Sequence, residues 1–171
     1  MVIICIIGES KGWIKMDANN IKIIVNPQIT ADQLWDFYVR NDICEVGFGK
    51  ETSAIPLKHS SLIVGAFYED KLVGIARAMF DGLSAVIMEF CLELEFQGNN
   101  LEYCNGSLIE KDTFDIGKQM GDIFLKELRA MGANFIFLYI VQDCEENFYK
   151  SIGFKENKGH LCYCIDERPY V

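Results

Sequence analysis

Val141-Gln142-Asp143-Cys144-Glu145-Glu146-Asn147-Phe148-Tyr149-Lys150-Ser151-Ile152-Gly153-Phe154 carries three local signals in a row. An apolar run ends, a short helix opens, and a glycine stops it ahead of a further apolar residue. Asp143 and Glu146 have the spacing of a capping box, and Gly153 falls where a helix would close. The pattern predicts strand, short helix, strand, with the Tyr149 phenol placed beside the end of a buried strand. Such a junction is a crevice with one proton donor.

Outward from it, Phe135 to Val141 is a continuous apolar run, as expected for a strand covered on both faces. Before that strand the spacing of Ile116, Met120, Ile123, Phe124, Leu128 and Met131 predicts a helix from about Thr113, ended by Gly132. Ile21 to Val25 reads as a strand. Thr30 and Gln33 form a capping box for a helix through Arg40, with Leu34, Phe37 and Tyr38 on one face. Asn41 to Ser60 is a mixed segment with one short helix expected.

Leu62–Tyr68, Leu72–Phe80 and Ala85–Leu94 read as three antiparallel strands. They turn at Glu69-Asp70 and at Asp81-Gly82, a dipeptide suited to a type I′ hairpin. A polar loop from Glu95 to Asp112 separates the third strand from the long helix, and further strands are expected near Phe154 and from His160 to Ile165. The fold class is therefore α/β: a mixed, mostly antiparallel sheet of six to seven strands with helices on both faces.

With 171 residues, half of them apolar, the chain reads as a single domain over 1–171, large enough to bury about two thirds of its unfolded surface. Residues 1–20 read as an extra N-terminal strand or extension. A net charge of −9 repels phosphate backbones and argues against nucleic acid as a partner. The seven cysteines are scattered and form no CxxC pair, so no metal site is expected and a reducing, cytoplasmic compartment fits them. Cys162 and Cys164 read as small packing residues on one strand face. The opening apolar run Met1–Ile7 is too short to cross a bilayer, and no membrane association is expected.

The run Phe148-Tyr149-Lys150-Ser151-Ile152-Gly153-Phe154 closely resembles the FYxxxGF motif that ends the GNAT (Gcn5-related N-acetyltransferase) fold. The order of predicted elements from Ile21 to Val171 is also that of the family, and the tail Tyr163–Val171 resembles a last strand of some members. The resemblance implies acetyl-CoA as acyl donor, and a small-molecule or peptide amine as acceptor. It is compatible with a homodimer.

The family's diphosphate-binding turn, Q/R-x-x-G-x-G/A, uses backbone N–H groups at a helix N-terminus, with glycines that let the anion approach. Placed on the helix, that motif falls on Ile116, Gly117, Lys118, Gln119, Met120 and Gly121, where only the last glycine matches. Placed on the strand, it falls on Leu94-Glu95-Phe96-Gln97-Gly98, whose Gln matches before Asn99-Asn100 departs. An insertion of about fifteen to twenty residues between two halves of the motif accounts for both matches, and the helix start is the expected anion site. By the same resemblance, backbone groups of Leu92, Glu93 and Leu94 would pair with the pantetheine arm.

Acetyl transfer to a lysine-like amine must first remove a proton from a group with pKa about 10.4, at roughly 4–5 kcal/mol at pH 7. It must then protonate a thiolate leaving group. By resemblance Tyr149 is the general acid. Glu89 is the first choice for base and Glu93 the second, because carboxylates on a central strand are costly unless they line a cleft. Cys91 shares their face, and Met88, Phe90, Leu92 and Leu94 are expected on the other. His59 and His160 read as structural or surface residues. The family often has Asn seven residues before its Tyr; that position is Gln142.

Overall fold

The computed structural model describes residues 20–43, 49–98, 101, 108–141, 143–163 and 165. Five strands form one sheet in the order β1-β2-β3-β4-β5, namely Ile21–Val25, Leu62–Tyr68, Lys71–Phe80, Ser84–Leu92 and Phe135–Leu138. The first four are antiparallel neighbours, and β5 runs parallel to β4. Four helices accompany them: α1 (Ala31–Arg40), α2 (Ala54–His59), α3 (Ile116–Met131) and α4 (Glu146–Ser151).

Local chemistry sets most of these boundaries. Thr30 and Gln33 make the predicted capping box, each side chain accepting the other's backbone N–H at 3.1 and 3.0 Å. Gly132 ends α3 at φ +109, a conformation a Cβ would strain. Asp81 Oδ1 accepts from the N–H groups of Leu83 and Ser84. This makes the β3–β4 connection a three-residue loop, Asp81 to Leu83, rather than a two-residue hairpin.

Helices cover both faces. α3 and α4 bury Phe124, Leu128 and Phe148 against Val64, Ala76, Phe90 and Leu92 on one side, and α1 buries Leu34 and Phe37 against Ile63, Phe67 and Ile75 on the other.

The described residues contain five strands, not six to seven. Neither the strand expected near Phe154 nor the described part of His160–Ile165 forms. Leu161, Tyr163 and Ile165 stand 79–91 % exposed. An apolar pattern makes a strand only where an edge supplies hydrogen bonds, and none reaches them. Residues 1–19, Gln142, Cys164 and 166–171 lie outside the described residues, and with them the N-terminal extension, the family amide position and the end of the tail.

Two irregularities in β4 prepare the site. A bulge opposite Arg77 and Ala78 makes Met88 the extra residue, since Glu89 faces Arg77 and Ile87 faces Ala78. Met88 is therefore turned out, 51 % exposed, instead of joining Phe90 and Leu92 in the core as the alternation predicted. β5 pairs with β4 only from Ser84↔Phe135 to Ile87↔Leu138. Beyond that point β4 continues to Leu92 while the segment after Leu138 leaves the sheet, so the two strands part.

Candidate active site

Tyr149 stands at this parting. Gly153, at φ +102, lets the chain turn back so that the Phe154 N–H bonds the Tyr149 carbonyl at 3.0 Å. Phe90 of β4 then packs on Phe148 and Tyr149 with ring centroids 5.2 and 6.2 Å away, and Phe154 meets Tyr149 edge-on at 5.8 Å. Each such pair contributes about 0.5–1.5 kcal/mol beyond its burial, and together they fix the phenol against β4. The FYxxxGF residues are thus the clamp that orients Tyr149.

α4 begins at Glu146 with Glu145 as its N-cap, one residue pair later than the Asp143–Glu146 spacing predicted. Glu145 is buried. Its carboxylate accepts from the Val141 N–H at 3.0 Å and from the Tyr149 hydroxyl one turn on. Burial pushes the Glu145 carboxyl above the usual glutamate range. Burial, followed by the Glu145 charge, pushes the Tyr149 phenol up in turn.

A cavity of about 710 Å³ opens from Tyr149 and Glu145 across β4 towards α1 and α2. Glu89 lines it, its side chain 8 % exposed. Glu89 Oε2 accepts from the Arg77 guanidinium and, at 2.9 Å, from the Tyr38 hydroxyl. Burial and then the Glu89 charge raise the Tyr38 phenol, which donates without ionising. Glu89 Oε1 is buried and has no hydrogen-bond partner, in a cavity that suits a small ligand by volume. A carboxylate held by one oxygen and open at the other can accept a proton from a bound amine.

Glu93, the second candidate, is placed elsewhere. Its buried carboxylate is taken up by Arg40 Nε at 2.8 Å, Lys71 Nζ at 2.9 Å and Asn41 Nδ2 at 3.3 Å. It ties α1 to β3 and does not line the cavity that holds Glu89 and Tyr149.

The two motif halves lie side by side. The Thr113 N–H bonds the Gln97 carbonyl at 2.7 Å, closing the insertion at its base. The buried Gln97 amide donates to the carbonyls of Leu92 and Leu108, and its oxygen accepts from Glu110 N–H at 3.2 Å. Leu108 forms an isolated bridge with Cys91. Ile75 of β3 occupies the other edge of Cys91, so Leu108 rests on the edge that the parting of β5 exposes, alongside Leu92 and Leu94.

At the helix start the amides of Gly117 and Lys118 point at a carboxylate of the chain itself, Asp112, at 2.9 and 2.6 Å. Burial raises the Asp112 carboxyl while those amides lower it. Lys118 and Gln119 are exposed, but Ile116, Gly117, Met120 and Gly121 are buried. A Cβ at Gly121 would meet Ile152 at 3.0 Å, and one at Gly117 would meet Ile109 and Phe148. These glycines let α4 approach α3.

Of the catalytic candidates named from the sequence, Tyr149 and Glu89 line this one cavity. Sequence reasoning missed Arg77, Glu145 and Asp112 as partners in the site. Glu145, four residues before Tyr149 on the same helix face, could have been found from that spacing; the other two could not.

Similar architectures are found among solved structures. A probable acetyltransferase from methicillin-resistant Staphylococcus aureus superposes with a TM-score of 0.66 at 13 % identity, over 86 % of this chain and 99 % of the other. A GNAT-family acetyltransferase from Streptococcus pneumoniae gives 0.59 at 21 % identity, over 86 % and 99 %. Glucosamine-6-phosphate N-acetyltransferase from Arabidopsis thaliana gives 0.59 at 12 %, over 85 % and 99 %. No family model and no curated protein matches the sequence significantly. The chain has the fold of the GNAT acetyltransferases.

Proposed function

We propose that this chain is an acetyl-CoA-dependent N-acetyltransferase, acting on a primary amine by direct attack in a ternary complex. The observation that carries the reading is the shared cavity: Glu89 and Tyr149 line one space where β4 and β5 part. The amide cradle of α3 suits the donor's diphosphate, because an anionic group of this chain already sits in it. Asp112 would have to swing out, leaving the amides of Gly117 and Lys118 to hold the phosphates, and Lys118 Nζ would have to leave its ion pair with Asp122 to join them. Of the proposed pantetheine contacts Leu92, Glu93 and Leu94, the three carbonyls already accept from Gln97 Nε2, the Phe96 N–H and the Gln97 N–H, and the Glu93 N–H is bonded to Val73. The arm would have to displace these bonds or use the N–H groups of Leu92 and Leu94. Acetyl-CoA supplies an activated acetyl thioester.

The chain's own groups supply the proton transfers. Glu89 Oε1 takes the proton of the acceptor amine, and Arg77 and Tyr38 keep the carboxylate aimed by holding Oε2. Tyr149 Oη holds the proton that the departing sulfur takes. At its reference pKa a phenol donates to a thiolate uphill by roughly 2 kcal/mol. Burial and Glu145 make that step steeper, so positioning has to lower the barrier most.

A non-catalytic module that keeps the fold is the second reading. It is favoured by the Asp112 carboxylate in the cradle and by Leu108 on the exposed edge of β4. Calorimetry with acetyl-CoA, then thiol release across a panel of amines, separates the two. Binding with turnover supports the enzyme, binding without turnover by any amine supports the module, and no binding defeats both.

A further inference from the structure

Among the described residues two buried side-chain atoms have no hydrogen-bond partner, Glu89 Oε1 and Ser60 Oγ. Both belong to residues that line the cavity described above. Orphaned buried polar atoms are costly, and two in one cavity mark where a ligand's polar groups belong. Glu89 faces Arg77 across the β3–β4 ladder, and Arg77 faces Ile63 across β2–β3. Ser60 lies three residues before Ile63, so two strand spacings and three residue rises separate the backbones of Glu89 and Ser60 by about 14 Å. The backbones that carry the two orphans are thus well separated along one cavity.

Most of the remaining wall is apolar, with Thr52 and His59 as polar exceptions. Trp35, Ile55, Pro56, Met79, Met88 and Tyr139 line it. Ile55, Met79, Met88 and Tyr139 are 41–66 % exposed, an apolar concentration that marks a binding surface. Methionines suit such a wall because they adapt to irregular ligands. The chain's net charge of −9 is not concentrated here. The lining carboxylates are Glu89, already paired with Arg77, and Glu145, held by Val141 and Tyr149. A polycation would find little to bind.

Resting on the acetyltransferase reading, we infer that the acceptor is an elongated, mainly apolar monoamine with a second hydrogen-bonding group at its far end. The amine meets Glu89 Oε1, an aromatic-sized body lies along the methionine and tryptophan wall, and a distal hydroxyl meets Ser60 Oγ. Polyamines and amino sugars are disfavoured: the first would bury an unpaired charge, the second a shell of hydroxyls on an apolar wall.

Tyramine, phenethylamine, spermidine and glucosamine are suitable probes. Binding is measured by calorimetry with and without coenzyme A, and transfer separately by thiol release from acetyl-CoA. Tyramine should bind at least tenfold more tightly than spermidine or glucosamine. Its advantage over phenethylamine should disappear in Ser60→Ala, and Glu89→Gln should weaken both arylalkylamines tenfold or more. Spermidine or glucosamine binding as well as tyramine overturns the inference, as does a Ser60→Ala protein that still prefers the hydroxylated amine. Tyramine bound as expected, with no thiol released by any amine, supports the site while defeating the transferase reading on which it was placed.

Discussion

At Tyr149 the hydroxyl donates to Glu145, the residue one helical turn earlier, and the two share a buried pocket beside β4. Removing that hydroxyl takes away the proposed proton donor and leaves ring packing intact. Tyr149→Phe should therefore lower turnover by about 10²-fold or more with acetyl-CoA affinity nearly unchanged, read from thiol release and calorimetry. Equal activity would take Tyr149 out of the mechanism. Glu145 makes a separate claim about stability. Its carboxyl is raised in the folded protein, chiefly by burial, so the folded state binds more protons than the unfolded one across that interval. Its contribution is then greatest below the ordinary glutamate value of about 4.3 and is lost as pH rises through the raised one. Glu145→Gln should melt above wild type at pH 7, and the gap should close by pH 4. A gap that widens in acid reverses the sign and removes the argument.

Between α3 and α4 the glycines decide how near two helices can come. Gly121 faces Ile152, so Gly121→Val overpacks that contact and should cost about 1–3 kcal/mol, read by denaturant unfolding. A loss of acetyl-CoA affinity in this variant without a loss of stability would instead return Gly121 to the diphosphate site. The cradle at the start of α3 gives a sharper test. Asp112→Asn removes the resident charge but keeps an acceptor for the helix N–H groups, so it should leave stability near wild type while tightening acetyl-CoA binding several-fold. If binding does not tighten, the Asp112 carboxylate is no competitor for the cradle. These two results were out of reach of the motif match: the sequence has glycines near the right place, but only the packed helices show what their missing side chains make room for.

Across the whole molecule Glu93 joins α1 to the sheet through Arg40, Lys71 and Asn41. Glu93→Ala leaves those partners near a buried position, but Arg40 and Lys71 stay partly solvated, 26 % and 43 % exposed. The cost should be about 1–3 kcal/mol, below the range for a wholly buried pair. Thiol release measured where the protein is still folded should be close to wild type. A collapse of turnover in folded protein would restore Glu93 as the base. No helix of the described residues is long and apolar enough to span a membrane.

Signals that act over a few residues were legible at once: the capping box at Thr30, the stops at Gly132 and Gly153, and the strand meander. Each depends on contacts the chain makes with itself within a turn, or on an apolar period that any buried face imposes. The arrangement around Glu89 depends on residues far apart in sequence, with Tyr38 51 positions away. So do the bulge that turns out Met88, the Leu108 bridge on Cys91 and the absence of a sixth strand among the described residues. Those were settled by which edges and cavities the packed sheet left open, and a linear pattern carries no record of that.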